Sequence, residues 1–219
     1  MKAIFKLLLL VLFVTIGCTK KTTEKEVVTK PQEDTYVKDN YTKKEVKITM
    51  RDGTKLHTTI YSPKNTTQKY PILFQRTPYS CRPYGEDKFR TKIGPNLNLM
   101  KEGNIIVYQD VRGRWMSEGV YDNMRAFIPN KTEKQSDETT DTYDTIDWLV
   151  KNVENNNGKV GTWGISYPGH YSTVSTINAH PALKAASPQA CIGDFFFDDF
   201  HHNGAFLLSY FKVVPLFGT

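Results

Sequence analysis

Surplus charge is nearly missing from the part of this sequence that could fold. Of the 29 Lys and Arg, nine lie in residues 1–45 with six of the 23 Asp and Glu, which leaves 20 against 17 over residues 46–219. No cluster of Lys or Arg interleaved with aromatics stands out, so the sequence gives no support for nucleic-acid binding and none is expected. Internal repeats are absent. The one long apolar run, Leu7 to Ile16, is too short to cross a bilayer. What is present is ordinary for a soluble globular chain: 39% hydrophobic and 12% aromatic residues over 219 positions, enough for one well-buried α/β domain.

The apolar run follows Lys2 and Lys6, the layout of a signal-peptide core, so residues 1–17 are expected to direct export. Gly17 and Cys18 then precede a polar Thr/Lys/Glu tract. This arrangement resembles a bacterial lipoprotein signal, which implies acylation of Cys18 and a membrane tether through that lipid. Thr15 stands where such signals usually carry Leu, so ordinary cleavage before Cys18 with secretion is the alternative. Residues 18–44 lack apolar periodicity and are expected to form a disordered, solvated tether. Cys81 and Cys191 remain, and export would permit a disulfide between them; two separate thiols is the plainer reading.

From residue 45 onward the pattern becomes regular. In EVKITMRDGTKLHTTIYSP, alternating Val46, Ile48 and Met50, an Asp-Gly turn and a second strand-like run predict a hairpin. Two unbroken apolar runs, Tyr70 to Gln75 and Ile105 to Gln109, predict strands buried on both faces. DTYDTIDWLVKN spaces Tyr143, Ile146, Leu149 and Val150 as an amphipathic helix, with Asp141 as the expected N-cap. A strand (Lys159 to Trp163), a turn at Ser166, a helix (Tyr171 to Asn178) and a short buried strand in LKAASPQA follow. The fold class is therefore α/β: a mostly parallel sheet with helices on both faces, preceded by an antiparallel hairpin. That is the plan of an α/β-hydrolase, expected over residues 45–193, with residues 194–219 opening a helical cap.

The segment KVGTWGISYPGHY carries the chemistry. A serine hydroxyl attacks a carbonyl only when a base takes its proton and donors receive the oxyanion. A sharp strand-to-helix turn exposes Ser166 and turns the Tyr167 backbone N–H toward the reacting carbonyl. The usual Gly-x-Ser-x-Gly spacing is not met, because Pro168 occupies the second glycine position and Gly169 comes one later.

Six segments, RDGTKLHTTIYSP, YPILFQRTPYS, YQDVRGRWMSEG, DTYDTIDWLVKN, NGKVGTWGISYPG and HPALKAASPQACIGDFFFDDFHHNGAF, stand in one order. Together they resemble the acyl-esterase family of cocaine esterase and the α-amino acid ester hydrolases, related to the X-Pro dipeptidyl-peptidases. The resemblance implies Ser166 as the acyl-forming nucleophile, the Tyr167 backbone N–H as one oxyanion donor and the Tyr79 hydroxyl as the other. It also implies that an acidic cluster in Asp194 to His202 receives a substrate α-ammonium group at Asp199, with Asp198 as the substitute because the segment is one residue shorter than the family pattern. A helix N-cap at Asp198 or Asp199 is the other reading of that pair. No metal-ligand spacing is present there, and no cofactor is implied.

The acid and base of a triad follow the serine in this fold, yet NGAFLLSYFKVVPLFGT offers neither; His57 and His180 have nothing around them to mark a base, and His170, immediately after the elbow, would begin the helix and point along it. The expectation is an N-terminal part of a longer serine hydrolase acting on a small ester or short peptide. X-Pro dipeptidyl-peptidase activity is the alternative, and a surface-anchored binding protein without catalysis is the second. Alone, the 219-residue chain is expected to hydrolyse esters poorly; substantial turnover by the purified fragment would contradict this.

Overall fold

The structure, a computed structural model, describes residues 35–212. The expected signal peptide, Cys18 and most of the expected tether lie outside these residues. A six-stranded sheet has the order β1-β2-β4-β3-β5-β6. β1 (Tyr41–Thr49) and β2 (Lys55–Pro63) form the antiparallel hairpin, and β2 also pairs antiparallel with β4 (Ile105–Asp110). β3 (Tyr70–Thr77) lies parallel between β4 and β5 (Asn156–Ile165), and β6 (Leu183–Gln189) pairs parallel with β5.

Strand order determines which face each helix covers. From β3 the chain steps to one side, through α2 (Leu97–Lys101), to reach β4; from β4 it steps back past β3, through α3 (Glu138–Asn152), to reach β5. Crossovers of one hand in opposite directions put their helices on opposite faces. Met100 of α2 accordingly packs with Ile106, Tyr108 and Tyr61, whereas Ile146 and Leu149 of α3 pack with Ile105, Val107, Ile72 and Phe74. Every residue of β4 is buried, as an apolar run without alternation predicts for an interior strand. α4 (Tyr167–Val174) continues in the direction of α3 and shares its face, where the Ser172 hydroxyl donates to Thr162 at 3.2 Å.

Several expectations need correction. The fold begins earlier than residue 45: α1 (Tyr36–Asn40) and the first half of β1 occupy the end of the expected tether, with Val37 and Tyr41 in the core. Hydropathy hides this stretch because Lys43 points inward. Its ammonium donates to the Pro83, Gly85 and Lys88 carbonyls at 2.6, 2.7 and 2.9 Å and pairs with Glu45 at 2.7 Å, which offsets the cost of burying it. The N-cap of α3 is Asp137 in a capping box with Thr140, not Asp141, whose carboxylate turns inward to Arg112. α4 starts directly after Ser166 rather than at Tyr171. β6 is largely exposed rather than buried, since among the described residues only β5 pairs with it. Of the segment expected to open a helical cap, the described residues hold one π-helical turn, Phe195–Phe200, a short ribbon of β7 (His201–His202) with β8 (Ala205–Phe206), and helical backbone again at 210–212. Asp194 caps that turn, so neither Asp198 nor Asp199 does. Cys81 and Cys191, by contrast, are two free thiols, as the plainer reading of the sequence expects.

A buried ion network joins the carboxyl ends of β3 and β4 to the first turn of α3. Arg76 Nη1 meets Glu138 at 2.7 Å, Arg112 meets Asp141 at 2.7 Å and Asp52 of the hairpin turn at 2.7 Å, and Arg76 Nη2 lies 3.6 Å from Asp141. Beside it, burial pushes the Asp137 carboxyl up, but the Ile128 N–H, the Thr139 hydroxyl and Lys131 together bring it down from 3.8 to about 2. A carboxyl held low when folded stabilises above its unfolded value and loses that contribution as pH falls through the folded one. Stability is therefore expected to drop between pH 3.8 and about 2. Asp137→Asn should remove on the order of 2 kcal/mol at neutral pH and flatten that slope, read from urea midpoints against pH; an unchanged slope would contradict the assignment.

Candidate active site

Adjacent strands β3 and β5 send their connections in opposite directions, which opens a crevice beyond their carboxyl ends. β3 leaves there through Thr77-Pro78-Tyr79 and β5 through Ile165-Ser166-Tyr167. The topology thus brings two residues 87 positions apart to one site.

Ser166 sits at the apex of the turn with φ 63° and ψ −124°, a conformation that L-residues rarely adopt and that costs about 1–3 kcal/mol. Its N–H donates to the Gln189 carbonyl of β6 at 2.9 Å, and its own carbonyl accepts the His170 N–H at 3.1 Å. Both glycines have packing reasons. A Cβ on Gly164 would overlap the Pro168 carbonyl, and one on Gly169 would lie 2.5 Å from the Gln189 carbonyl oxygen. The second glycine therefore comes one position late because Gly169 is the residue that passes β6, whereas Pro168 sits in the first turn of α4, where its missing N–H costs nothing.

A cavity of about 790 Å³ opens at this edge, lined by Ser166, Tyr167, Tyr79, Asp198 and Asp199 among others. The five residues read from the sequence as nucleophile, oxyanion donors and ammonium site thus line one cavity, whereas Cys18 lies outside the described residues. The Tyr79 ring meets Tyr167 edge-on with centroids 6.3 Å apart, and the Tyr79 N–H donates to the Thr77 hydroxyl at 2.9 Å. Asp198 and Asp199 differ. Asp198 Oδ2 accepts the Gly193 and Asp194 N–H groups, both at 2.8 Å, which hold its carboxyl below the usual range. Asp199 instead lies beside Tyr210, another residue of the cavity wall, where burial and then the Asp199 carboxylate push the phenol's pKa up.

No hydrogen bond joins the Ser166 hydroxyl to a histidine or carboxylate among the described residues. His170 meets the Tyr167 and Tyr171 rings edge-on, its Nε2 is buried without a hydrogen-bond partner, and burial together with Arg76 pushes its pKa down. His57 is buried in β2 against Tyr84, and His180 pairs with Asp147 at 3.5 Å.

Sequence reading overlooked the loop after β4. Asn123 and Met124 line the cavity, and both touch the Tyr167 hydroxyl. The position of RGRW at the carboxyl end of a buried strand was the available signal, since that sheet edge is where sites form. Asp110, the last residue of β4, is fully buried and accepts from the Cys81 N–H and the Tyr84 hydroxyl at 2.8 Å each, which anchors the Tyr79 loop.

A parallel sheet entered by an antiparallel hairpin, with a serine on a strained strand-to-helix turn at the switch point, defines an α/β-hydrolase. The model of the X-Pro dipeptidyl-peptidase family (S15 family) matches residues 52–214, and the chain belongs to that family. Cocaine esterase of Rhodococcus sp. (strain MB1 Bresler) is 30% identical over 156 residues, 69% of this chain and 24% of its own length. A selenomethionine-labelled α-amino acid ester hydrolase is 37% identical with a TM-score of 0.71, over 90% of this chain and 32% of that one. An aminopeptidase from a marine sediment Thaumarchaeota archaeon is 38% identical with a TM-score of 0.68, over 86% of this chain and 31% of its own. The chain therefore spans about a quarter of the curated relative and a third of the solved structures.

Backbone strain at Ser166 makes a stability prediction. Ser166→Gly keeps the turn and accepts its φ without cost, so the variant should unfold about 0.5–2 kcal/mol above the parent in urea. A less stable variant would show that the turn holds no strain.

Proposed function

We propose that this chain supplies the nucleophile and the oxyanion donors of a serine hydrolase acting on esters or amides of acyl or α-amino acyl groups. The observation that carries the reading is Ser166 on its strained apex at the switch point, in one cavity with Tyr79. Ser166 Oγ forms a bond to the substrate carbonyl carbon as a general base takes its proton. The carbonyl oxygen becomes the oxyanion and is received by the Tyr167 backbone N–H and the Tyr79 hydroxyl. Its collapse expels the alcohol or amine, which leaves with a proton. Water, or an amine, then attacks the acyl-enzyme through the same oxyanion and frees Ser166. Each donor is worth about 10²–10³ in kcat.

Asp199 is the better candidate to receive a substrate α-ammonium, because Asp198 already binds two backbone N–H groups. X-Pro dipeptidyl-peptidase activity is the second reading, favoured by the description of the matching family. It needs the same serine and the same ammonium site. Export with a lipid on Cys18, or secretion, completes the proposal and places the substrate outside the cytoplasm.

The test uses the full-length gene product and a fluorophosphonate probe, followed by mass spectrometry that also reads acylation of Cys18. An adduct on Ser166 that Ser166→Ala abolishes is expected; a protein that stays unlabelled would sink the proposal. Hydrolysis of phenylglycine methyl ester in preference to Ala-Pro-anilide supports the esterase reading, and the reverse preference supports the peptidase.

A further inference from the structure

Loop 111–124 leaves the carboxyl end of β4 and touches Tyr167, one of the two residues proposed as oxyanion donors, and the residue just before the other, Tyr79. At one end the Trp115 indole N–H donates to the Pro78 carbonyl at 2.8 Å, one residue before Tyr79. The Arg82 guanidinium covers that indole 4.4 Å from its ring centroid. Trp115 itself takes φ 50°, the left-handed region that a bulky side chain enters only when its surroundings hold it there.

At the other end the loop grips the elbow. The Tyr167 hydroxyl accepts from the Tyr121 hydroxyl at 2.7 Å and from the Met124 N–H at 2.8 Å, and donates to Asn123 Oδ1. Three hydrogen bonds on one phenol hold a ring that is 4% exposed and stacked on Tyr171 with centroids 5.1 Å apart. The backbone N–H of this same residue is the proposed oxyanion donor.

Between the two ends the loop is a closed unit. A Cβ on Gly113 would overlap the Tyr121 backbone, so the two arms cross in direct contact. The Gly113 N–H donates to the Glu118 carbonyl at 2.9 Å, and Ser117 ties the base of the loop to the Asp110 carbonyl at 2.6 Å and to the His57 N–H at 2.8 Å.

We propose that residues 111–124 are a strap that sets the separation of the two oxyanion donors. Trp115 positions Tyr79, and Asn123 with Tyr121 positions the Tyr167 N–H; none of the three touches the reacting atoms. This rests on the serine-hydrolase reading above. Donors stabilise an oxyanion only when held at hydrogen-bond distance from the place where its charge develops, and a shift of about 1 Å can cost about 10²-fold in rate. The strap therefore acts on kcat and leaves substrate binding almost alone.

A double-mutant cycle in the full-length protein tests this, with kcat and KM measured on the best ester and unfolding followed for each variant. Trp115→Phe, which removes the N–H and keeps a ring under Arg82, should lower kcat about 10-fold with KM within about twofold. In a Tyr79→Phe background the same change should add nothing, because Trp115 acts through the Tyr79 hydroxyl. Asn123→Ala should lower kcat similarly, but its loss should multiply with Tyr79→Phe, since it acts on the other donor. Should Trp115→Phe fail to fold, Arg82→Ala, which loosens the same indole, takes its place in the cycle. A full loss from Trp115→Phe in the Tyr79→Phe background, or a rise in KM with kcat intact, overturns the strap while leaving Ser166 as nucleophile. Turnover undiminished by Ser166→Ala removes the serine reading itself, and the strap with it.

Discussion

Two buried arginines against two buried carboxylates hold together the part of this fold that matters for chemistry. Arg76 stands one residue before the end of β3 and Arg112 follows β4, while Glu138 and Asp141 open α3, so their ion pairs fasten a helix start to the carboxyl edge of the sheet. Removing charges from water is costly, and burial pushes the Glu138 carboxyl up even beside Arg76. What the network supplies is orientation. Each guanidinium makes several directed bonds, including those of Arg76 to Gln109 and Thr142 and of Arg112 to Thr54. Arg112 also reaches Asp52, which joins the hairpin turn to the same edge. Arg76 lies 5.3 Å from the centre of the Tyr171 ring, which stacks on Tyr167, so the floor of the elbow rests on this network.

Above that floor the reversal of winding at β3 places the site. Because β4 and β5 flank β3, the loops after β3 and β5 diverge, and Tyr79 and Ser166 face one cavity although they are distant in sequence. The turn at Ser166 stores strain that close packing sustains: Gly164 under Pro168 and Gly169 against β6 leave no room for side chains. Stability is given up at one residue to hold a hydroxyl clear of its own backbone, a common arrangement where a group must react rather than pack.

Much of this was legible in the sequence, for identifiable reasons. Unbroken apolar runs marked β3 and β4 because interior parallel strands bury both faces, and alternation with an Asp-Gly turn marked the hairpin. The serine turn stood out by its place between strand and helix. Features that depend on long-range partners did not show. Lys43 looked like part of a solvated tether because its three carbonyl acceptors lie 40 to 45 residues away. Asp141 looked like a helix cap because nothing local reveals that Arg112 claims it. The displaced second glycine looked like a departure from pattern until the approach of Gln189 explained it. Asn123, which lines the site, and Trp115, which reaches the loop before Tyr79, are placed by loop geometry alone and carried no periodic signal.

At the centre stands the proposal that the switch point aligns the Ser166 hydroxyl with two oxyanion donors from separate strands. A crystal structure of the full-length protein reacted with a phosphonate tests it most directly. The account predicts phosphorus bonded to Ser166 Oγ, with a phosphonyl oxygen about 2.7–3.1 Å from both the Tyr167 N–H and the Tyr79 hydroxyl. An adduct whose oxygen is turned away from both donors, or one formed on another residue, would contradict it.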